Sequence, residues 1–109
     1  WDAKPYADLA HEAYDAQSYA QAAIYYEKAF KRDSTDAGYA VNAAICCIWA
    51  QDPAGAERLA RQAIQADPLQ AEAYKVLLRV YPDAATRPAD VINLIRDGYA
   101  CTHDEELNI

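Results

Sequence analysis

The chain has 109 residues, a net charge of −7, and 25 alanines against only 3 glycines. This length fits one small domain, and the excess of alanine over β-branched residues favours an all-α fold. No apolar run reaches the roughly 20 residues of a transmembrane helix, so we expect no insertion into a membrane. Nucleic acids and acidic membranes attract clustered lysine and arginine, and the acidic balance argues against both as partners.

Apolar spacing and helix-end signals predict six helices joined by short links. Ser18 and Gln21 have the spacing of a capping box at the start of the second helix. Asp52 before Pro53 is typical of an N-cap followed by proline at the first helical position, and Pro88 is suited to the same position. The predicted helices cover residues 4–16, 19–33, 37–50, 53–66, 71–81 and 88–101.

The segment from residue 82 onward has two interpretations. After a turn-rich link, apolar residues recur at helical spacing at Val91, Leu94, Ile95 and Tyr99. That helix can be the last of the chain and cover the end of the fold with a polar outer face. Alternatively, Thr102 and Glu105 form a second capping box that opens a further helix, and the chain is a piece of a longer array.

The sequence contains an internal repeat, in which residues 3–36 align without a gap with residues 37–70. The identities in this alignment are Ala3/Ala37, Ala10/Ala44, Ala16/Ala50, Gln17/Gln51, Ala20/Ala54, Ala22/Ala56, Ala29/Ala63 and Asp33/Asp67. Alanine recurs where two helices that approach closely have room for a methyl group and nothing larger. We therefore expect the alanines at 10, 22, 29, 44, 56 and 63 to lie in helix contacts.

These segments resemble the tetratricopeptide repeat, a helix–turn–helix unit of about 34 residues. The residues that carry the resemblance are Tyr6, Leu9, Ala10, Ala22, Tyr26 and Ala29 in the first block, Ala44, Ala56, Ala63 and Pro68 in the second, and Tyr74, Leu77, Leu78 and Tyr81 in a third. The resemblance implies an all-α superhelix (a solenoid). Its parts would be two clear repeats (3–36 and 37–70), a degenerate third helix pair (71–101), and a tail or the start of another helix (102–109).

The resemblance also implies a scaffold or adaptor that binds a peptide or helix of a partner protein. In this family the first helix of each repeat lines a concave groove. The candidate groove residues are Asp8, His11, Tyr14, Val41, Asn42, Ile45, Ile48, Trp49, Lys75 and Arg79. For Trp49 the alternative to a contact with the ligand is packing beneath the next repeat.

One subclass of the family grips the terminal carboxylate of heat-shock chaperones with five residues. The matching positions here hold Ala7, His11, Asn42, Glu72 and Val76. Only Asn42 fits, so we expect no such carboxylate clamp. Lys75 and Arg79 lie one helical turn apart and could still bind an acidic or phosphorylated segment, with Asn42 and His11 across the groove. The alternative is a solvated basic face that Glu72 offsets.

No motif indicates catalysis, and we expect no enzyme activity, cofactor or metal. Cys46 and Cys47 are adjacent and cannot easily bridge to each other, so with Cys101 they are predicted to be free thiols, the first two buried. Free thiols favour a reducing compartment, the cytoplasm, and a removed signal peptide is the alternative. A second candidate function is self-assembly within a larger scaffold, through Trp1 or the apolar stripe at 91–99.

Overall fold

The computed structural model describes residues 3–107, and within this range it contains α-helices and two short 3-10 turns but no β-strand. All six predicted helices are present, and each end lies within one residue of its expected position. The all-α class is thereby confirmed. The helices are α1 (Lys4–Asp15), α2 (Tyr19–Arg32), α3 (Ala37–Trp49), α4 (Pro53–Ala66), α5 (Ala71–Val80) and α6 (Ala89–Thr102). In the described part of the chain no helix has the length and apolar character to cross a membrane.

The turn that joins a first helix to a second has the same backbone structure in both aligned blocks. At the end of α1, Ser18 N–H donates to Ala13 O over 2.8 Å and Gln17 has a left-handed φ of 62°. At the end of α3, Asp52 N–H donates to Cys47 O over 2.8 Å and Gln51 has a φ of 61°. Both are Schellman motifs, in which glutamine occupies the left-handed position that glycine usually takes.

The links from α2 to α3 and from α4 to α5 repeat in the same way. Asp33 and Asp67 each end a helix, and Oδ1 of each accepts from the amide two residues later, at 3.3 Å and 3.0 Å. Such Asx turns direct the chain into the next helix without regular structure. The internal repeat is therefore a property of the backbone as well as of the sequence.

Helix-end chemistry follows the expectations at one cap and departs from them at two. Asp52 caps α4, where its carboxylate accepts from Gly55 N–H over 3.1 Å. The predicted capping box at Ser18 is wrong, because no side chain caps α2 and the Ser18 amide is already used by the Schellman motif. Pro88 is the N-cap of α6 and precedes the first helical residue.

Each helix packs mainly against its neighbours in the chain, and α3 also contacts α5. The result is an elongated body of 38 × 26 × 19 Å. The core between the helices is rich in alanine, and all six alanines expected at helix contacts are fully buried. Leu59, Tyr74 and Leu77 supply its larger side chains.

Charged side chains connect α2 with α4, and α4 with α6. Arg58 of α4 donates to both carboxylate oxygens of Glu27 on α2, at 2.8 and 3.3 Å. Arg61 of α4 donates to Asp90 of α6 over 2.9 Å and to Glu57 over 2.8 Å. Bidentate geometry strengthens such an ion pair, although an exposed pair contributes at most about 1 kcal/mol to the free energy of unfolding.

The third helix pair differs from the first two. Helix α5 ends at Val80, because Pro82 disfavours the helical conformation at the residue before it. The link to α6 then contains a 3-10 turn at Ala84–Thr86. Helix α6 crosses α5 at Gly98, where a Cβ would lie 2.6 Å from the Tyr74 ring.

The residues after α6 fold back over the last helix pair. His103 is left-handed, with a φ of 56°, and Glu105–Leu107 form a 3-10 turn that contacts α5 and α6. Leu107 is only 2% exposed. The capping box at Thr102 does not form, since the Thr102 hydroxyl donates to Gly98 O and accepts from Asp104 N–H. Trp1, expected at an exposed end, lies outside the described residues.

Candidate functional site

The first helices α1, α3 and α5 carry the predicted groove residues, and we call their solvent-facing surface the first-helix face. Asp8, His11 and Tyr14 of α1 are exposed, as is Asn42 of α3, while Ile45 and Ile48 are half-buried. Val41 differs from the expectation, because it is 5% exposed and packs in the core. Its side chain supports the face from below and is not available to a ligand.

A shallow concavity of about 280 Å³ joins α1 to α3 on this face. The residues that line it are His11, Tyr14, Tyr26, Asn42, Ile45 and Cys46. Four of the candidate groove residues, His11, Tyr14, Asn42 and Ile45, therefore line one concavity. Such a surface suits a peptide, because apolar side chains of the peptide can contact the walls while its backbone forms hydrogen bonds with the exposed Asn42 amide.

Tyr26 forms the floor of this concavity, although it belongs to α2. Its hydroxyl shares a hydrogen bond of 3.0 Å with His11 Nδ1, and the two rings meet edge to face at 5.6 Å. Burial chiefly raises the pKa of Tyr26, so its hydroxyl remains protonated at neutral pH. The sequence marked Tyr26 as part of the repeat pattern but not as a groove residue. The signal was available, since its hydroxyl needs a partner when the ring is buried.

Three aromatic rings meet beside this concavity, and we call Tyr14, Tyr19 and Trp49 the aromatic cluster. Tyr14 and Tyr19 lie edge to face at 5.5 Å, and the Tyr19 and Trp49 centroids are 6.1 Å apart. Trp49 is 55% exposed and Tyr14 is 41% exposed. Trp49 therefore does not pack beneath the next repeat. Tyr19 was not predicted from the sequence as a groove residue, because the candidates came from the first helices alone and Tyr19 begins α2.

Lys75 and Arg79 of α5 lie apart from the first concavity. They line a second one of about 380 Å³ with Glu72, Leu78 and Glu106. Lys75 Nζ is 3.0 Å from Asp104, 3.3 Å from Glu72 and 3.5 Å from Glu106. Asp104 above all, and then Glu72, raise the pKa of Lys75, so it stays protonated and its charge is offset by ion pairs. Neither Lys75 nor Arg79 is among the residues that line the first concavity with His11 and Asn42.

The remaining reactive groups are dispersed. Cys46 and Cys47 are buried as predicted, and burial raises the pKa of each thiol to about 11. Cys101 is exposed. Among residues 3–107 no three histidine, cysteine, aspartate or glutamate side chains are grouped so that they could hold a metal ion.

No model of a known protein family matches the chain, and no curated protein sequence matches it. The candidate site consists of the aromatic cluster and the adjoining concavity, which Tyr14 connects.

Proposed function

We propose that the chain is a tetratricopeptide-like superhelical module that binds a peptide segment of a partner protein on its first-helix face. Two features support the superhelix. The helix junctions repeat from one block to the next, and α3, in contact with α2, α4 and α5, lies in the centre of the array. Repeat arrays of this kind offer an extended surface along their first helices. The proposed role is binding without catalysis, in a reducing compartment such as the cytoplasm.

The exposure of the aromatic cluster is the observation that carries this proposal. Tryptophan and tyrosine are enriched where partners bind, because a rigid ring buries a large apolar area at little entropic cost. Trp49 leaves more than half of its surface in water, which is unfavourable in the free protein. Tyr14 places this apolar surface next to the concavity, where Asn42 can bond to a peptide backbone.

A peptide selection tests the proposal and does not require the partner to be identified. We would select from a displayed library of random 12-residue peptides on the wild-type chain. Binding of the recovered peptides would then be measured by fluorescence polarisation. Trp49→Ala should weaken binding by at least about tenfold, the usual effect of losing an aromatic hot spot.

Leu69→Ala is the matched control, because Leu69 is 66% exposed but lies in the link between α4 and α5. We expect it to leave binding unchanged. Equal binding by wild type and Trp49→Ala, with both folded by circular dichroism, would place the ligand elsewhere and refute the proposed site. Recovery of no peptide at all would count against peptide binding itself.

A second candidate function is self-assembly through the last helix pair. The observation in its favour is a concavity of about 250 Å³ on α6, lined by Ala84, Arg87, Ile92, Ile95, Arg96, Tyr99 and Leu107. Ile92 is 39% exposed there. Light scattering at tens of micromolar separates the two functions. A dimer that Ile92→Glu dissociates would favour assembly, and a monomer would favour the peptide module.

A further inference from the structure

We infer that the aromatic cluster receives a lysine or arginine side chain, and that the partner segment is therefore a basic peptide. This inference rests on the proposed function and specifies the chemistry of its ligand. It differs from one of the two interpretations of Lys75 and Arg79 in the sequence, which is that they could bind an acidic or phosphorylated segment. Contacts, charges and geometry each contribute to it.

Two rings of the aromatic cluster, those of Tyr14 and Trp49, are exposed to solvent. Among residues 3–107 no lysine or arginine lies over the rings of Tyr14, Tyr19 or Trp49. Elsewhere the chain does use this contact, since Lys28 and Arg32 lie 5.9 and 5.6 Å from the ring centre of Tyr6. A cation is attracted to the negative face of an aromatic ring, most strongly to tryptophan.

The exposed charges of α1 near its end are negative. Asp8, Glu12 and Asp15 are exposed along α1, and within the described residues their carboxylates form neither a hydrogen bond nor an ion pair. Asp15 adjoins Tyr14, and its field reaches the concavity. The pKa of Tyr26 in this concavity is raised mainly by burial, and the negative charge of Asp15 raises it further. Lys4 is the one lysine or arginine of α1, and it lies three turns away from Asp15.

Lys75 and Arg79, which could attract an acidic peptide, line the second concavity and not the first. Asp104 and Glu106 of the folded-back tail pair with Lys75, at 3.0 and 3.5 Å. Arg79 is exposed, but it belongs to α5, beyond α3 as seen from α1. An acidic segment at the aromatic cluster would meet the charge of Asp15, and in the described part of the chain no lysine or arginine lies over the rings to offset it. Charge complementarity therefore favours a basic ligand.

The geometry suits a peptide with one basic and one apolar side chain close together. Tyr14 belongs to the aromatic cluster and also lines the concavity. A peptide that places its cation on the rings of Trp49 and Tyr14 can therefore place an apolar side chain against Ile45. Asp15, whose charge acts on Tyr26 in this concavity, can attract the same cation.

The test uses the recovered library peptides and synthetic copies of them. In one copy each lysine and arginine is replaced by glutamine, and in another by glutamate. We expect lysine and arginine to be enriched in the selection. The glutamine copy should bind about tenfold more weakly, since it loses a cation–π contact and an ion pair. The glutamate copy should bind more weakly still.

Variants of the protein assign the effect to the site. Asp15→Asn should weaken the basic peptide about threefold and leave the glutamine copy unchanged. Asp97→Asn, a change of the same kind at an exposed position of α6, is the control and should have no effect. Higher NaCl concentration should weaken the wild-type complex more than the Asp15→Asn complex, because salt screens exposed charges.

The outcomes separate this inference from the proposed function. Peptides that depend on Trp49 but lack basic residues, or that bind equally well as glutamine copies, would overturn the inference and leave peptide binding intact. Basic peptides that bind Asp15→Asn and Trp49→Ala as well as they bind the wild type would overturn both. If no peptide is recovered, both are overturned as well.

Discussion

Gly98 of α6 provides a sharp test of the packing between the last two helices. Gly98 is buried in the middle of the contact with α5, directly over the ring of Tyr74. The substitution Gly98→Ala adds one methyl group and no charge. In an ordinary helix this change stabilises, because alanine favours the helical state over glycine by about 1 kcal/mol.

The structure predicts the opposite sign here. The added Cβ would lie 2.6 Å from Cγ and Cδ1 of Tyr74 and 2.8 Å from Cε1. These separations are well inside van der Waals contact. The ring cannot swing away easily, because it is 2% exposed and its hydroxyl donates to Pro68 O over 2.8 Å. Overpacking of this kind costs about 1–3 kcal/mol. After the gain in helix propensity, we expect a net loss of up to about 2 kcal/mol.

Urea unfolding, followed by circular dichroism at 222 nm, measures this loss directly. The double variant Gly98→Ala/Tyr74→Leu separates the clash from other effects, because leucine lacks the ring atoms that the new methyl group would meet. In the Tyr74→Leu background we expect Gly98→Ala to be neutral or stabilising. If Gly98→Ala raises the free energy of unfolding of the wild-type chain, the close crossing of α5 and α6 is wrong.

Three further predictions concern turns, thiols and acid stability. Gln51→Gly should raise the free energy of unfolding by about 0.5–1 kcal/mol, because glycine adopts the left-handed conformation of this turn without strain. The control is Gln65→Gly in helix α4, which should lower the free energy of unfolding by a similar amount. Native protein should expose one thiol to a chromogenic disulfide reagent at pH 8, that of Cys101, and urea should expose three; rapid reaction of more than one would contradict the burial in α3. Hydrogen bonds from Tyr81 and then Arg61 lower the pKa of Glu57 from 4.5. The ionised Glu57 carboxylate therefore stabilises the fold fully above pH 4.5, and this stabilisation is lost as the pH falls through the lowered pKa. Glu57→Gln should therefore make the urea midpoint less dependent on pH below about 4.5, and an unchanged dependence would remove Glu57 from this role.

Much of the fold could be predicted from the sequence because its signals are local. Pro53 and Asp52 mark a helix start whatever the tertiary structure, and alanines seven residues apart fall on one helix face. The Schellman turns were missed because Gln17 and Gln51 adopt the left-handed conformation without a glycine to mark it. The capping box at Ser18 failed for the same reason, since that turn uses the Ser18 amide.

The candidate site was less predictable because it depends on distant contacts. The position of Lys75 on α5 follows from helical periodicity. Its ion pair with Asp104, however, depends on the residues after α6 folding back onto α5. Tyr19 joins Trp49 only because the link between α2 and α3 brings the start of α2 to the end of α3. Val41 lies on the stripe expected to face the ligand, yet α3 is packed on several sides and buries it.

Chemical-shift mapping is the most direct test of binding on the first-helix face. The labelled chain would be titrated with the tightest peptide recovered by selection, and amide and indole N–H resonances would be followed. We predict the largest changes at the indole of Trp49 and at the amides of Tyr14 and Asn42, with little change along α4 and α6. Changes confined to α6 or to the outer surface of α4, with the Trp49 indole unmoved, would contradict binding on this face.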